Sequence, residues 1–316
     1  MKNWLDRTKN FWHQQAFWQK TVMIASVLGV LIFLWILLET IQAKNTGFEE
    51  QTLWTWMELL IVPLLIPIGV LWLTRRSEEN ERKVTAYKSQ REDLQTYFDS
   101  MTELLLKYKL HSNDESREAR SIARALTLIV TPGLDARQKG QVLLFVYDSG
   151  LINRPPVLNL AELNMENAWL FRADLSRSHL RELRLREAVL EQTNLYQTNL
   201  RDARLQGANL NGALLNQANL RGAFLNNASL NASILRDTDL RGADLTAADL
   251  TEADLTDADL RSVELKNAKF TNATLINTKF AGVNLSNQEL IAQLHEARMM
   301  SNIQLPDGSC HNRPEP

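Results

Sequence analysis

Five arginines recur at intervals of twenty residues and form the most regular set of chemically capable side chains in the sequence. We call them the arginine ladder; its members are Arg181, Arg201, Arg221, Arg241 and Arg261. The planar guanidinium group can donate two parallel hydrogen bonds to a carboxylate or a phosphate. The ladder therefore predicts a docking strip for an acidic partner or for phosphate groups. The alternative is a solvated row that is partly paired with nearby acids such as Glu182, Asp202, Asp239 and Asp259.

A cluster of acidic residues close to the end of the ladder is the second candidate site. We call it the acidic collar; its members are Asp237, Asp239, Asp244, Asp249, Asp254, Asp257 and Asp259, with Glu252 and Glu264 beside them. The region 168–287 as a whole holds fourteen basic and fourteen acidic residues. Neither sign of charge therefore dominates, and the net charge of −2 for the whole chain predicts no strong attraction to nucleic acid.

No residue pattern in the sequence is typical of an enzyme. There is no phosphate-binding glycine loop, no nucleophile elbow and no set of residues with metal-ligand spacing. Cys310 is the one cysteine, and His179 falls next to the ladder without a nearby catalytic partner in the sequence. We therefore predict a protein without catalytic residues, cofactor or metal.

The elements that carry these residues repeat with a period of five. Residues 246–260 read TAADLTEADLTDADL, and steps of five from Leu170 to Leu285 meet leucine at all twenty-four positions except Phe270 and Phe280. The residue two positions earlier is mostly alanine or another small residue. An α-helix repeats at 3.6 residues and a half-buried strand at two, so neither explains this pattern.

A square coil does explain it. Two residues of each five point inward and three face water, and each unit forms one side, so that four units close a coil of twenty residues. Coils would stack at the spacing of β-strands, about 4.8 Å, and residues twenty apart would lie on the same side. The arginine ladder would then run along one face of a rod whose interior is filled with leucine.

The repeats QGANLNGALLNQANLRGAFL and RGADLTAADLTEADLTDADL resemble the pentapeptide-repeat family over residues 168–287. The resemblance implies a right-handed quadrilateral β-helix. Together with the segments that precede the repeats, the chain resembles the membrane-anchored members found in cyanobacteria. Some soluble members protect DNA gyrase by mimicking DNA, which requires negative charge along the rod, and the five arginines argue against that role.

The first 76 residues predict a membrane anchor. Two apolar stretches, about 21–41 and 54–74, are long enough to cross a bilayer as helices. Lysine and arginine are concentrated before the first stretch and after the second, which predicts that both termini are cytoplasmic. We therefore expect an integral protein of the plasma or thylakoid membrane that contacts the bilayer through these helices and anionic headgroups through its basic flanks.

The remaining segments predict a helical connector and a cap. Residues 77–152 read as a small helical unit, with a heptad seam over 84–108 that fits either self-association or packing within the chain. The β-helix follows over 153–287. Residues 288–316 are predicted to form a cap helix and a tail, and the sequence SNQELIAQLHEARMMSN, which starts at Ser286, predicts that the helix begins after that residue. The resemblance also implies that this end can be an interface between copies.

The fold class predicted overall is therefore mixed: two transmembrane helices, an α-helical connector, and a β-helix with a C-terminal cap helix. The predicted function is a non-catalytic, membrane-tethered scaffold or adaptor that presents the rod to a protein partner not identified by the sequence. The alternative is a regulatory or accessory subunit of a membrane transporter or photosynthetic complex, which it would contact through the transmembrane helices.

Overall fold

The computed structural model describes residues 62–108, 110, 117–153 and 155–311. The chain divides into two compact units, Met1–Glu81 and Arg82–Pro316. In chain order the helices and strands are α1 (Val62–Lys107), α2 (Arg117–Val130), a 3-10 turn (Thr131–Gly133), α3 (Ala136–Asp148), β1 (Thr274–Ile276), α4 (Asn287–Gln293), β2 (Met299–Ser301), β3 (Ile303–Gln304) and β4 (Cys310–His311).

The predicted transmembrane helices and the integral-membrane localisation require correction. None of the helices that the structure describes combines the length and the apolar character needed to cross a bilayer. The first predicted span, 21–41, lies outside the described residues, as does the start of the second. The described part of the second span is the beginning of α1, and its apolar sequence ends at Thr74, before Arg75 and Arg76.

The repeats form a β-solenoid of stacked coils, as the period of five predicts. Parallel bridges join the residue before each large inward side chain to the residue twenty positions later, from Asn164 with Arg184 to Asp259 with Lys279. Hydrogen bonds between coils alternate along these bridges: Leu170 N–H donates to Val189 O at 2.8 Å, and Val189 N–H donates to Ala168 O at 2.9 Å. The main chain of each coil is thus held by the coils before and after it.

Each corner of the coil is a tight turn. Ala173 N–H donates to Leu170 O at 3.0 Å, which closes a four-residue turn whose third residue, Arg172, has φ of 56°. A turn with positive φ at that position alone is of type II, which favours glycine or asparagine. Many corners nevertheless carry other residues, because the N–H at this position also donates to the next coil, as Arg172 N–H does to Glu191 O at 3.0 Å.

The inward leucines and small residues fill the axis of the solenoid. Leucines such as Leu220 have no exposed surface, and the alanines two positions before them are equally buried. Where threonine replaces alanine, its hydroxyl group finds a main-chain acceptor: Thr193 Oγ1 donates to Leu170 O at 2.8 Å. Phe270 and Phe280 meet edge to face near the C-terminal end, with ring centroids 6.5 Å apart. The interior therefore serves packing, and binding must use the outer surface.

Helix α3 covers the N-terminal end of the solenoid. Asp135 caps the start of the helix through a capping box shared with Gln138. Trp169 N–H in the first coil donates to Ala136 O at 2.8 Å, and Lys139 Nζ donates to Glu166 O at 2.9 Å. The strand groups that the first coil would otherwise expose are thereby paired with the helix.

The heptad seam is divided between packing and exposure. Leu94 and Met101 are buried against the other helices, whereas Val84 and Tyr87 are 54% and 58% exposed. The seam therefore contributes to packing within the chain over its middle part, and its role between copies stays a prediction. Buried Tyr97 shares a hydrogen bond with Thr127, 3.1 Å between the hydroxyl oxygens.

The cap helix is shorter than the sequence predicts. Helix α4 begins after Ser286, which forms the expected capping box with Glu289, but it ends at Gln293. Residues Met299–Ser301 instead form β2, which pairs in parallel with β1. The open edge of the last coil explains the change, because a parallel strand can pair with its main-chain groups along the edge.

Candidate functional site

The arginine ladder lies along one side of the solenoid. We call this side the arginine face; it comprises residues 178–182 and the segments 198–202, 218–222, 238–242, 258–262 and 278–282 that stack on it. Main-chain hydrogen bonds fix the ladder, since Glu182 N–H donates to Arg201 O and Asp202 N–H donates to Arg221 O, both at 2.9 Å. The guanidinium groups therefore project from a rigid row of anchor points.

The first two arginines pair with an acid one residue later. Arg181 Nη2 lies 2.8 Å from Glu182 Oε1 and 3.6 Å from Asp202 Oδ2. Arg201 uses its Nε, 3.1 Å from Asp202 Oδ2. Both side chains remain nearly half exposed, at 48% and 43%. At the N-terminal end of the face, the charges are thus paired along one corner of the coil.

The last two arginines pair with an acid two residues earlier. Arg241 donates from Nε to Asp239 Oδ1 at 2.8 Å and from Nη2 to Asp239 Oδ2 at 2.6 Å. Arg261 forms the same two-pronged contact with Asp259, at 2.8 and 2.6 Å. This geometry is stronger and more directional than a single contact.

The ion pairs of Arg241 and Arg261 shift the pKa values of their acids. The hydrogen bond from Arg241 lowers the pKa of Asp239. Burial alone would raise the pKa of Asp259, but hydrogen bonds from the Arg261 side chain and main chain lower it. Because these pairs lie at the surface, each is expected to contribute only about 0–1 kcal/mol to stability.

Arg221, in the middle of the ladder, differs from the other four. It is exposed, and among the described residues no carboxylate lies within ion-pair distance of its guanidinium group. Its main-chain N–H donates to Asn219 Oδ1 at 3.1 Å. The ladder is thus paired at both ends and unpaired at its centre.

The acidic collar does not form a continuous negative surface. Asp239 and Asp259 belong to the ladder's ion pairs, so the two candidate sites share residues. Asp244, Asp249 and Asp254 each accept the main-chain N–H two residues later, at 2.9 to 3.1 Å, and so stabilise the turn.

Other carboxylates of the collar are paired with neighbouring side chains. Arg236 Nε reaches Asp254 Oδ2 at 2.6 Å, and Asn277 donates to Asp257 at 2.8 Å. Burial would raise the pKa of Asp254, but hydrogen bonds from Thr256 and Arg236 lower it. Asp237 remains an exposed acid at a corner. Most of the collar therefore serves turns and ion pairs.

Two features of the described residues bear on catalysis and on ligands. No group of three or more potential metal ligands comes together in that part of the chain. A groove of about 350 Å³ lies between α1 and α2, with Gln90, Asp93 and Tyr97 on one side and Leu126 and Leu134 on the other. Sequence reasoning did not identify this groove, because its walls come from separate helices.

Comparison with known proteins identifies similar repeats. A family model described as pentapeptide repeats (8 copies) matches residues 168–207, 208–246 and 248–287. No curated protein matches the chain.

The solved structures that are similar to the chain include the following three. Rfr23, a pentapeptide repeat protein from the cyanobacterium Cyanothece 51142, is 30% identical, with 27% of this chain and 58% of that chain covered and a TM-score of 0.27. HetL, a pentapeptide repeat protein involved in heterocyst differentiation regulation in Nostoc sp. strain PCC 7120, is 30% identical, with 49% of this chain and 76% of HetL covered and a TM-score of 0.25. The Nostoc pentapeptide repeat protein alr5209 is 29% identical, with 34% of this chain and 84% of alr5209 covered and a TM-score of 0.28. This chain therefore spans less than two thirds of the length of Rfr23.

Proposed function

We propose that this chain, which belongs to the pentapeptide-repeat family, presents the arginine face of its solenoid to an acidic protein partner. Proteins of this family are non-catalytic solenoids that act through protein interactions. A cyanobacterial source for the chain stays a prediction.

The observation that supports this proposal most directly is the uneven charge of the outer surface. The repeat region 168–287 is neutral overall, but the arginine face holds six basic residues and four acidic ones. The unpaired cations on this face are Arg221 and Lys279, as far as the described residues extend. A rigid surface with excess positive charge favours an acidic partner, because complementary charge speeds association and fixes orientation.

Two alternative functions receive less support. The role of a subunit that contacts a transporter or photosynthetic complex depended on the two predicted transmembrane helices. It is not proposed, because none of the described helices could cross a bilayer. DNA mimicry requires negative charge along the rod, whereas the arginine face has an excess of positive charge and the collar's acids are largely engaged in turns and ion pairs.

The test compares two triple variants in a partner-capture experiment. One variant neutralises the centre of the ladder with Arg201→Gln, Arg221→Gln and Arg241→Gln. The matched control removes the same charge from the neighbouring side with Arg184→Gln, Arg186→Gln and Arg204→Gln. Tagged full-length proteins are cross-linked in their native cells, purified and analysed by mass spectrometry, and circular dichroism checks that both variants keep the solenoid.

We expect the wild type and the control to retain the same stoichiometric protein partner and the ladder variant to lose it. Glutamine is preferred to glutamate because a glutamate at position 241 would lie beside Asp239 and Asp259 and add repulsion. If the ladder variant keeps the partner, or if the control loses it equally, the arginine face is not the binding surface.

A further inference from the structure

The ion pairs of the arginine face follow a simple positional rule. The shortest ion pair of each paired ladder arginine is with an acid at the next residue, as for Glu182 and Asp202, or two residues earlier, as for Asp239 and Asp259. Longer contacts of 3.6 and 3.7 Å also join Arg181 to Asp202 and Arg241 to Asp259 in the neighbouring coils. Each paired coil has an acid at one of these positions and an uncharged residue or histidine at the other. Every paired arginine thus has one acid of its own coil.

The coil of Arg221 lacks an acid at both positions. Two residues earlier stands Asn219, which supports the turn through its Oδ1 but carries no charge. One residue later stands Gly222, where a Cβ atom would lie 2.5 Å from Asp202 Oδ1. The space beside Gly222 is therefore already used by the carboxylate that pairs with Arg201. The chain itself supplies no carboxylate to Arg221 within the described residues.

The surroundings of Arg221 leave room for a partner to approach. At Gly242, in the next coil, no atom lies within 4 Å of the position a Cβ would take. Arg201 contacts Asp202 through Nε alone, so its terminal amino groups can serve a second acceptor. A carboxylate between the two arginines would also offset the repulsion between charges that lie about 4.8 Å apart along the stack.

We propose that Arg221, assisted by Arg201, binds a single carboxylate from an acidic segment of the partner and so completes the row of ion pairs. This inference rests on the proposed function and names the anchor point of that surface. A carboxylate fits better than a phosphate, because Asp202 and Asp239 lie on either side and would repel a doubly charged anion.

A set of single substitutions tests this inference with a fluorescently labelled deca-glutamate peptide, whose binding to the full-length protein is followed by anisotropy. The ionic strength is about 0.1 M, at which exposed charges more than about 10 Å apart are largely screened. Asn219→Asp places an acid where Asp239 stands one coil later and so pairs Arg221 internally. Arg221→Gln removes the guanidinium group itself. Asn194→Asp is the matched control: it adds the same charge at the same turn position on another side, where the residue two positions later is Tyr196.

We expect Asn219→Asp and Arg221→Gln to weaken peptide binding about tenfold, the usual value of one charge-assisted contact. Asn194→Asp should change it less than about twofold, because surface charges on another side are screened. Asp239→Asn should strengthen binding, since it leaves Arg241 only its longer contact with Asp259, 3.7 Å between Nε and Oδ2. Acetate should displace the peptide at least as well as inorganic phosphate at matched ionic strength.

Several results would overturn the inference. Wild-type affinity in Asn219→Asp, or an equal loss in Asn194→Asp, would show that Arg221 is not the anchor. Displacement by phosphate at far lower concentration than acetate would show that the site takes phosphate groups. If neutralising the whole ladder abolishes binding while Asn219→Asp does not, only this inference fails. If the wild type does not bind the peptide at all, the proposed function fails as well.

Discussion

Replacing Gly140 with alanine tests how closely the helical unit is docked on the solenoid. Gly140 lies inside α3, where alanine is normally favoured over glycine by about 1 kcal/mol. In this structure a Cβ atom at position 140 would lie 2.2 Å from the carbonyl oxygen of Trp169 and 3.2 Å from its carbonyl carbon. The obstacle is main chain of the first coil, which cannot rotate away as a side chain could.

The expected cost exceeds the gain in helix propensity. To bring the 2.2 Å contact to the 3.4 Å of ordinary packing, α3 must move by about 1.2 Å. That movement weakens the hydrogen bonds Trp169 N–H to Ala136 O and Lys139 Nζ to Glu166 O, each contributing about 1 kcal/mol. Overpacking adds about 1–3 kcal/mol. Gly140→Ala should therefore destabilise the docked helix by a net value of about 2–4 kcal/mol.

Hydrogen exchange measured by mass spectrometry is the appropriate assay, because a solenoid can unfold in parts and need not unfold in one step. We expect faster exchange in α3 and in the first coil, with the later coils unchanged. Gly133→Ala is the matched control, since no atom lies within 4 Å of its added Cβ, and it should leave exchange as in the wild type. Equal or slower exchange in Gly140→Ala would refute the close docking of α3 on Trp169.

Three further predictions concern the core and two titratable groups. Leu220→Ala should destabilise the solenoid by about 3–5 kcal/mol because it leaves a cavity in the filled axis. Leu214→Ala, at a side chain that is 41% exposed, should cost under about 1 kcal/mol. Similar denaturation midpoints for the two variants would contradict the assigned packing. Arg241 lowers the pKa of Asp239 below its ordinary 3.8. The stability from this pair should therefore be complete above about pH 4 and be lost as the pH falls through the lowered pKa of Asp239 in the folded protein. An acid unfolding curve that is unchanged in Asp239→Asn would argue against this. Burial raises the pKa of Tyr97 to about 12, so the stability due to its neutral form should decline from about pH 10 upward, and ultraviolet titration should show one late-ionising tyrosine that disappears in Tyr97→Phe.

The repeat fold could be predicted from the sequence because its determinants are local and periodic. Leucine at every fifth position specifies which residues point inward, and the interval of twenty specifies which residues stack. The positions of the ladder on one face follow from this arithmetic alone. Helix starts at Asp135 and Ser286 were also predictable, since a capping box needs residues only three positions apart.

The membrane anchor was predicted by the same kind of reasoning and required correction. Apolar composition alone does not determine whether a stretch spans a bilayer. In the described part of the second stretch, α1 continues without interruption from its apolar beginning into a charged helix that ends at Lys107. The C-terminal segment was misassigned for a related reason, because Met299–Ser301 forms a strand only where β1 offers it an edge.

Only the tertiary structure decided which charges on the arginine face are paired. The sequence contains Asn219 and Gly222, but it does not state that positions two before and one after an arginine are those from which a carboxylate reaches it. That rule depends on where the corner turns each side chain and on how closely the next coil lies. Sequence thus determined the rod and the order of residues along its faces, because its repeat is set by near neighbours in the chain. The unpaired state of Arg221 and the contact of Gly140 with Trp169 depend on distances between atoms far apart in sequence, which only folding brings together.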